Sequence, residues 1–438
     1  MHYRISLGLA AALMVTTAVL NAQERSVVFQ GARIIPIAGR ELDNGVLVVT
    51  GGRIAAVGAS GTVAIPAGAE IRDVTGKVIM PGLVDTHSHI GGGDGGDQSA
   101  ALHPDVRVLD AINARDPSLR RALAGGITTA NIMPGSGLLS SGQTAYVKLR
   151  PGRTIDDLLY CRDSVTDICG GLKMANGTNP RGAAPRPGTR AKAAALVRAK
   201  FVAASEYRQK LREAGTDSTK RPKRDLELET LVEVLDGKRV VHYHTHRADD
   251  IATVLRLREE FGFRVVLQHV SEGYRVATEI AAAGVPASLT IVDSPGGKIE
   301  AINTDFGNAG MLDEAGVMVG FNTDDGITDS RLFLRTAALA VRAGMDRAKA
   351  LYGMTMAGAR MLDLNDRIGS LEAGKDADFI ILSGDPLSTY SQVLEAWILG
   401  VRVFDLSDPR DRVFALGGPG SQGPGGMTNH HADMEDHR

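Results

Sequence analysis

The chain has very little cysteine. Cys161 and Cys169 are its only two, so no disulfide framework holds it together and a four-cysteine zinc site is excluded. A bond between this one pair is permitted in an oxidising compartment, but the sequence alone does not show it. Aromatic residues are equally scarce, at 4% with one Trp. A core must therefore be built mainly from Ala, Val, Leu and Ile, which suits a parallel α/β protein better than an aromatic-rich sandwich. No charge of either sign dominates: 49 basic against 51 acidic residues leave a net charge of −2. Such a balance provides no global field for nucleic acid or an anionic membrane. The GxGxxG phosphate fingerprint is missing between any strand and helix, which weakens a doubly wound open sheet as the alternative.

A long apolar span is absent too. Met1-His-Tyr-Arg is followed by the apolar stretch Ile5–Leu20 and then Asn21-Ala22-Gln23. The run is short for a transmembrane helix and has no stop-transfer flank. A basic start, a short apolar core and a small residue before a polar one describe a secretory signal peptide over residues 1–22, cleaved after Ala22. The expectation is a periplasmic or secreted protein with no stable membrane anchor after cleavage. At the other end, 417–438 is rich in Gly, Pro and charge and reads as a disordered tail. Its His430, His431 and His437 carry no functional weight.

Between these ends the texture changes twice. Residues 23–80 hold short runs separated by glycine turns, among them Gly45-Val-Leu-Val-Val and Arg53-Ile-Ala-Ala-Val-Gly. The same texture returns in 361–416, with Gly374-Lys-Asp-Ala-Asp-Phe-Ile-Ile-Leu and Ala396-Trp-Ile-Leu-Gly-Val-Arg-Val-Phe. These flanks read as strands of one small composite β-sandwich domain. The middle follows another rhythm: helix at Ala248–Glu260, strand at Arg264–His269, helix at Gly273–Ala283, strand at Val285–Ile291, helix at Asn308–Ala315, strand at Val317–Phe321. Thr189–Gly215 reads as a long covering helix, and Lys220-Arg-Pro-Lys-Arg as a solvated face. Helix, glycine, strand, repeated, is the mark of parallel βα units. Residues 81–360 have about the length typical of an eightfold barrel, ~250 residues. The fold class expected is α/β, a (β/α)8 TIM-like barrel inserted in the sandwich.

Chemistry concentrates at the strand ends. The apolar run Val78-Ile-Met-Pro-Gly-Leu-Val ends in Asp85-Thr-His-Ser-His. Side chains alternate along a strand, so His87 and His89 share a face and make half a metal site. His242, His244 and His246 alternate in the same way before a helix. His269 closes the next apolar strand, and Asp324 follows a later one. In a βα barrel these ends converge on one face, and a nitrogen and oxygen ligand set of this kind suits a divalent metal. A lone histidine at a strand end is commonly structural; aligned histidines and an aspartate at successive ends are not. Asp324 also sits in turn chemistry, Asn-Thr-Asp-Asp-Gly, but its place after a strand favours a ligand.

Pro81-Gly-Leu-Val-Asp-Thr-His-Ser-His resembles the first-strand motif of the amidohydrolase superfamily of metal-dependent hydrolases. Gly125-Gly-Ile-Thr-Thr-Ala, Gly369-Ser-Leu-Glu-Ala-Gly-Lys-Asp-Ala-Asp and the split flanking domain fit the same superfamily. His244-Thr-His-Arg-Ala-Asp-Asp-Ile and Gly171-Leu-Lys-Met-Ala-Asn-Gly-Thr-Asn-Pro narrow it to the imidazolonepropionase-like branch. The resemblance implies His87 and His89 as ligands of a first metal, His244 and His269 as fifth- and sixth-strand ligands, and Asp324 as the eighth-strand aspartate. Lys173 is the candidate for the carboxylated lysine that bridges two metals in binuclear members, with Lys148 a weaker competitor. His242 and His246 become neighbouring or substrate-binding groups. One or two Zn²⁺ ions, with Mn²⁺ or Fe²⁺ as alternatives, would activate water and polarise a carbonyl. Asp324 would take the proton and pass it to the leaving nitrogen. His269 stands beside it as the second catalytic residue, and a spare histidine is available as an oxyanion donor.

Departures bear on the substrate. Deaminases of the superfamily, and imidazolonepropionase itself, carry a glutamate where this chain has Arg247. Asp325 replaces a frequent histidine, and Gln268-His-Val-Ser-Glu replaces Glu-His-Gly. Arg247 and Asp325 therefore join the substrate-binding candidates, and Asp325 and Glu272 would favour a cationic group. The expected activity is hydrolysis of a C–N bond in a small amide, peptide-like or cyclic amide substrate, with no nucleic-acid partner and self-association into a homo-oligomer left open. The alternatives are a deaminase or other non-peptide hydrolase on the same scaffold, or a catalytically silent periplasmic ligand-binding protein.

Overall fold

The computed structural model describes residues 26–93, 95–290, 298–418 and 421. The leader expected over 1–22, and all of the tail after residue 418 except residue 421, lie outside the described residues, as do the three tail histidines. No helix of the described residues is long and apolar enough to cross a membrane.

Five short strands open the chain: β1 (Val27–Ile34), β2 (Leu42–Thr50), β3 (Arg53–Ala59), β4 (Glu70–Asp73) and β5 (Val78–Pro81). Nine follow in the middle: β6 (Leu83–Ser88), β7 (Ile127–Ile132), β8 (Ser140–Gln143), β9 (Ala145–Lys148), β10 (Leu172–Ala175), β11 (Val241–Thr245), β12 (Val265–His269), β13 (Ala287–Leu289) and β14 (Val319–Phe321). Three close the chain: β15 (Phe379–Leu382), β16 (Val393–Ile398) and β17 (Val401–Asp405).

Both flanks enter one eight-stranded sheet, in the order β17-β16-β15-β5-β1-β2-β3 with β4 beside β1. The seam between the two ends of the chain is the antiparallel pair β15 and β5, with Phe379 opposite Pro81 and Leu382 opposite Val78. A sandwich would have two separate sheets; here β1 joins everything, because it bends. Its first half pairs with β4 and its second half with β5. The bend is at Gly31, with φ +89°, where an added Cβ would stand 2.2 Å from the Thr75 hydroxyl, so only glycine fits. Three of the scarce aromatics meet in this sheet's core: Phe29 meets Phe379 and Trp397 edge-on, with ring centroids 5.0 and 5.1 Å away.

The middle strands are buried on both faces, as β6, β10, β11 and β12 are along their whole length, the pattern of a parallel sheet covered by helices. They form two arcs, β14-β13-β12-β11-β10-β8 and β6-β7-β9. Strands β10 to β14 run parallel, as do β6 and β7. The expected set of eight parallel strands is not fully met: β8 runs antiparallel to β10 and β9 antiparallel to β7. Only Thr144 separates β8 from β9, and the two pair with different neighbours, β8 with β10 and β9 with β7, so this stretch passes from one arc to the other. The arcs meet at β6 and β14, where the Asp324 amide donates to the His87 carbonyl at 3.0 Å.

The helices fall close to their sequence signals. Ala248–Phe261 ends at Gly262 in a left-handed conformation, and Arg190–Ala214 is capped by Thr189, whose hydroxyl accepts from the Lys192 amide. The helix expected over Gly273–Ala283 is instead a single 3-10 turn, Gly273–Arg275, followed by Ala277–Ala282. Cys161 and Cys169 are disulfide-bonded.

Candidate metal centre

Every expected histidine and aspartate ligand lies near or just past the C-terminal end of a strand, whereas Lys173 is the second residue of β10. His87 closes β6 and His89 follows it; their Nε2 atoms are 3.3 Å apart. Asp324 reaches both: its Oδ1 is 3.4 Å from His87 Nε2 and 3.1 Å from His89 Nε2. Its other oxygen is 3.7 Å from His269 Nδ1 at the end of β12. On β11, the His244 ring lies 4.4 Å from His269 and 4.6 Å from His246, and the His246 and His269 rings stack at 4.9 Å. Two candidate ligand groups result: His87, His89 and Asp324, and His244, His246 and His269. The Asp324 carboxylate spans the gap between them.

The backbone is held in unusual conformations where these groups project. His269, Val270 and Asp324 all have positive φ, at 72°, 52° and 45°. For residues with a Cβ this costs on the order of 1–2 kcal/mol each, and such strain collects at functional sites. Neighbours hold it in place: Val270 N donates to Thr245 O at 2.9 Å and Glu272 N to His246 O at 2.9 Å.

The unmet hydrogen bonds show what kind of group the site can hold. His244 has no partner at either ring nitrogen, and His246 Nε2 and His269 Nε2 are likewise buried without one. On three rings the opposite nitrogen is fixed: His89 Nδ1 to Met133 O at 2.8 Å, His246 Nδ1 to Ser271 Oγ at 2.8 Å, and His269 Nδ1 to Thr290 Oγ1 at 3.0 Å. An imidazole anchored at Nδ1 with a bare Nε2 is set up as a metal ligand. Protonation does not fill the gap, since burial, reinforced by neighbouring cationic groups, pushes His87, His244 and His269 well below the ordinary imidazole range and His246 down to about 4. For Asp324 burial acts the other way, but the rings of His269 and His89 outweigh it and hold the carboxyl well below the usual carboxylate range. An ionised carboxylate beside His87 and His269, whose buried rings resist protonation, fits a divalent cation.

Lys173 on β10 is fully buried. Its Nζ stands 2.9 Å from His87 Nε2 and 3.3 Å from Met133 Sδ, and burial lowers its pKa to about 7. Lys148 is elsewhere: it pairs with Asp376 at 2.8 Å and with Asp378, joining the middle strands to the flanking sheet.

Four other candidates are placed away from the two groups. His242 lies two residues before His244 on β11, opposite Lys173 in the strand register, and bonds to Tyr146 and Gln268. Arg247 is half-exposed, its guanidinium held by Asp249 at 2.9 and 3.0 Å. Asp325 accepts from the Ser330 hydroxyl. Glu272 accepts from the Ala248 amide at 3.0 Å and from Asn303 at 2.6 Å, which caps the helix Ala248–Phe261, where Arg247 supplies no side-chain cap.

Two features escaped the sequence reading. One is Glu300, buried, with Oε2 accepting from the Thr178 amide at 2.8 Å. Its Oε1 has no partner and lies 3.9 Å from His244 Nε2. The other is the way Asp85 ties β6 to β14, accepting from Thr323 N at 3.1 Å and from the Thr323 hydroxyl at 2.5 Å. Glu300 had no local signal, lying far from any histidine in sequence; Asp85 was visible only as part of the first-strand motif.

Strand-end histidines and an aspartate gathered into two ligand groups on an α/β scaffold are the equipment of a metal-binding hydrolase. The amidohydrolase family model matches residues 78–403, and the chain belongs to that family, whose members are divalent-metal hydrolases of C–N bonds. It is similar to a crystal structure of an amidohydrolase from Thermotoga maritima MSB8, with 33% identity and a TM-score of 0.79, covering 86% of this chain and all of that one. It is 28% identical to amidohydrolase tasK of Hapsidospora irregularis over 80% of this chain, but spans only 39% of that relative's length. A 5-methylthioadenosine/S-adenosylhomocysteine deaminase of Symbiobacterium thermophilum is 23% identical over 82% of this chain and 85% of its own length.

Proposed function

We propose that the chain is an exported metal-dependent hydrolase that cleaves a C–N bond in a small amide, peptide-like or cyclic amide substrate. The observation that carries this reading is the Asp324 carboxylate set between two groups of buried imidazoles with bare nitrogens. His87, His89 and Asp324 would hold one divalent cation, zinc being the first choice, and His244 and His269 a second. A lysine with a pKa of about 7 has a substantial amine fraction near neutral pH, the form that adds carbon dioxide, which supports Lys173 as a carboxylated bridge. When bound, the cation supplies Lewis acidity, making water a nucleophile at neutral pH and polarising the substrate carbonyl. Asp324, ionised and oriented by His89 and His269, takes the proton from the attacking water and delivers it to the leaving nitrogen. His246, anchored by Ser271, presents Nε2 toward the same space, where it orients the substrate or stabilises its developing oxyanion.

The wider architecture is part of the same proposal. Closing the two arcs at the β6/β14 contact gives an eightfold barrel over residues 81–360, and the bent sheet of residues 23–80 and 361–416 acts as its accessory sandwich-like domain. Export is supported by the basic, apolar, small-residue leader over 1–22 and by the Cys161–Cys169 bond, a feature of oxidising compartments.

A second reading, deamination, needs a glutamate near the fifth-strand histidine, and Glu300 is one, 3.9 Å from His244 Nε2. Metal analysis of the purified protein, followed by a screen of N-acyl amino acids, dipeptides, lactams and aminated heterocycles, tests both. One to two equivalents of metal and amine release from amides are expected. Metal-free protein that does not take up zinc refutes the hydrolase reading, and ammonia release from heterocycles without amide cleavage moves it to deamination.

A further inference from the structure

His269 is the first member of a chain of hydrogen bonds that runs through the barrel core. Its Nδ1 lies 3.0 Å from Thr290 Oγ1. The Thr290 hydroxyl donates to Asn322 Oδ1 at 2.6 Å. Asn322 Nδ2 donates to Gln268 Oε1 at 3.3 Å, with a side branch to Ser288 Oγ at 2.8 Å. Gln268 Nε2 lies 3.1 Å from His242 Nδ1, and His242 Nε2 lies 2.9 Å from the Tyr146 hydroxyl. Gln268, His242 and Asn322 are wholly shielded from solvent, so water does not substitute for a missing bond.

Such a chain has a direction. Thr290 has one hydrogen, which goes to Asn322, so its oxygen accepts, and the proton it accepts is on His269 Nδ1. Asn322 then spends its amide hydrogens on Ser288 and Gln268, and Gln268 spends one on His242 Nδ1. The His242 proton sits on Nε2 and points at Tyr146. Every member donates away from His269. Reversing a single bond would set two donors or two acceptors face to face at or beside the shielded Asn322, Gln268 and His242, so along that stretch only reversal of the whole chain is an alternative, and that puts a proton on His269 Nε2.

We propose that the chain Thr290–Asn322–Gln268–His242–Tyr146 positions His269 by fixing its proton on Nδ1, keeping the buried Nε2 bare for a divalent cation. His242, expected from sequence to be a neighbouring or substrate-binding group, is thereby assigned as a positioning residue that acts through Gln268 and Asn322. The inference rests on the metal reading above.

The test uses Thr290→Val, which keeps the shape and removes the hydroxyl, with Thr290→Ser as the rescue and Tyr146→Phe at the far end. In metal-free ¹⁵N-labelled protein, His269 should show a single tautomer protonated at Nδ1; Thr290→Val and Tyr146→Phe should both shift the population toward Nε2–H. Competition with a chelator should show zinc bound roughly 10- to 100-fold more weakly by Thr290→Val, the usual effect of losing a group that orients a metal ligand, and Thr290→Ser should restore most of the affinity. Unchanged tautomer and affinity in Thr290→Val, or no rescue by Ser, overturns the proposal; an unchanged tautomer in Tyr146→Phe overturns the reach of the chain to Tyr146. If the unaltered protein binds no zinc, the metal reading fails, while the tautomer measurement still decides whether the chain sets the proton.

Discussion

Replacing His244 by Leu should reverse the order of stability between the metal-free and metal-loaded states. His244 is 1% exposed and has no partner at either ring nitrogen. Burial keeps the ring neutral, so one nitrogen is an unsatisfied donor and the other an unsatisfied acceptor. An unmet buried polar group costs about 1–3 kcal/mol, so the ring carries about 2–6 kcal/mol of penalty when no cation is present. Leucine is close in volume and has no polar atom; imperfect fit against His246 and His269 takes back up to about 1.5 kcal/mol. The metal-free variant should therefore exceed the metal-free parent by about 0.5–4.5 kcal/mol. With zinc at a thousandfold excess over its dissociation constant, the parent gains about 4 kcal/mol and the variant much less, so the ranking inverts over all but the top of that range. Urea unfolding followed by circular dichroism, with chelator and then with zinc, reads both differences. A metal-free variant less stable than the metal-free parent would refute the account of the bare nitrogens. Equal stabilisation of both proteins by zinc would show that His244 is not a ligand.

Three further outcomes follow from other parts of the structure. Asp324→Asn keeps the shape of the side chain between His87, His89 and His269 but not its basicity, so kcat should fall by about 10²–10⁴ with the chain still folded; steady-state rates beside a thermal melt check this, and near-normal turnover would place the proton acceptor elsewhere. Glu300→Gln keeps the bond to the Thr178 amide and removes the charge facing His244; amide hydrolysis should survive, whereas a deaminase using Glu300 would lose its ammonia release in a coupled assay. Lys148→Met leaves Asp376 and Asp378 buried with Arg53 at 2.6 Å and Arg367 at 2.9 Å from Asp376 as remaining counter-ions; breaking such a buried pair costs about 3–5 kcal/mol, the lower end being expected, and a loss under 1 kcal/mol in urea unfolding would mean that those arginines already neutralise the cluster.

The fold was legible where period and punctuation agree. Ala248–Phe261 has a helical stripe and a glycine stop at Gly262, and it appears within a residue of its expected end. The strands carrying His87, His244 and His269 were legible because a fully buried parallel strand is a continuous apolar run, and because two-residue alternation puts neighbouring histidines on one face. Pairing direction was not legible. Ser140–Gln143 is antiparallel to β10, a partner that begins only at Leu172, and its Ser-Ser-Gly-Gln sequence has no hydrophobic pattern to reveal a strand at all.

For the site, sequence spacing locates a ligand on its strand but says nothing about which partner occupies its other atoms. Asp325 and Arg247 are adjacent or near to ligands in sequence, yet their side chains are taken by Ser330 and Asp249. Glu300, from a turn after β13, brings a free carboxylate oxygen to His244. The difference is one of accounting. A carboxylate already neutralised by local donors has little left for a substrate, whereas a buried one with a single satisfied oxygen holds an interaction in reserve. Room for it depends on Gly177, with φ +85°, where an added Cβ would stand 2.5 Å from Glu300 Oε2. Gly177→Ala should therefore displace Glu300 without touching any candidate metal ligand. If Glu300 reads part of the substrate, this variant should change KM or substrate preference while zinc content stays the same. If zinc is lost as well, Glu300 belongs to the metal's surroundings and not to the substrate's.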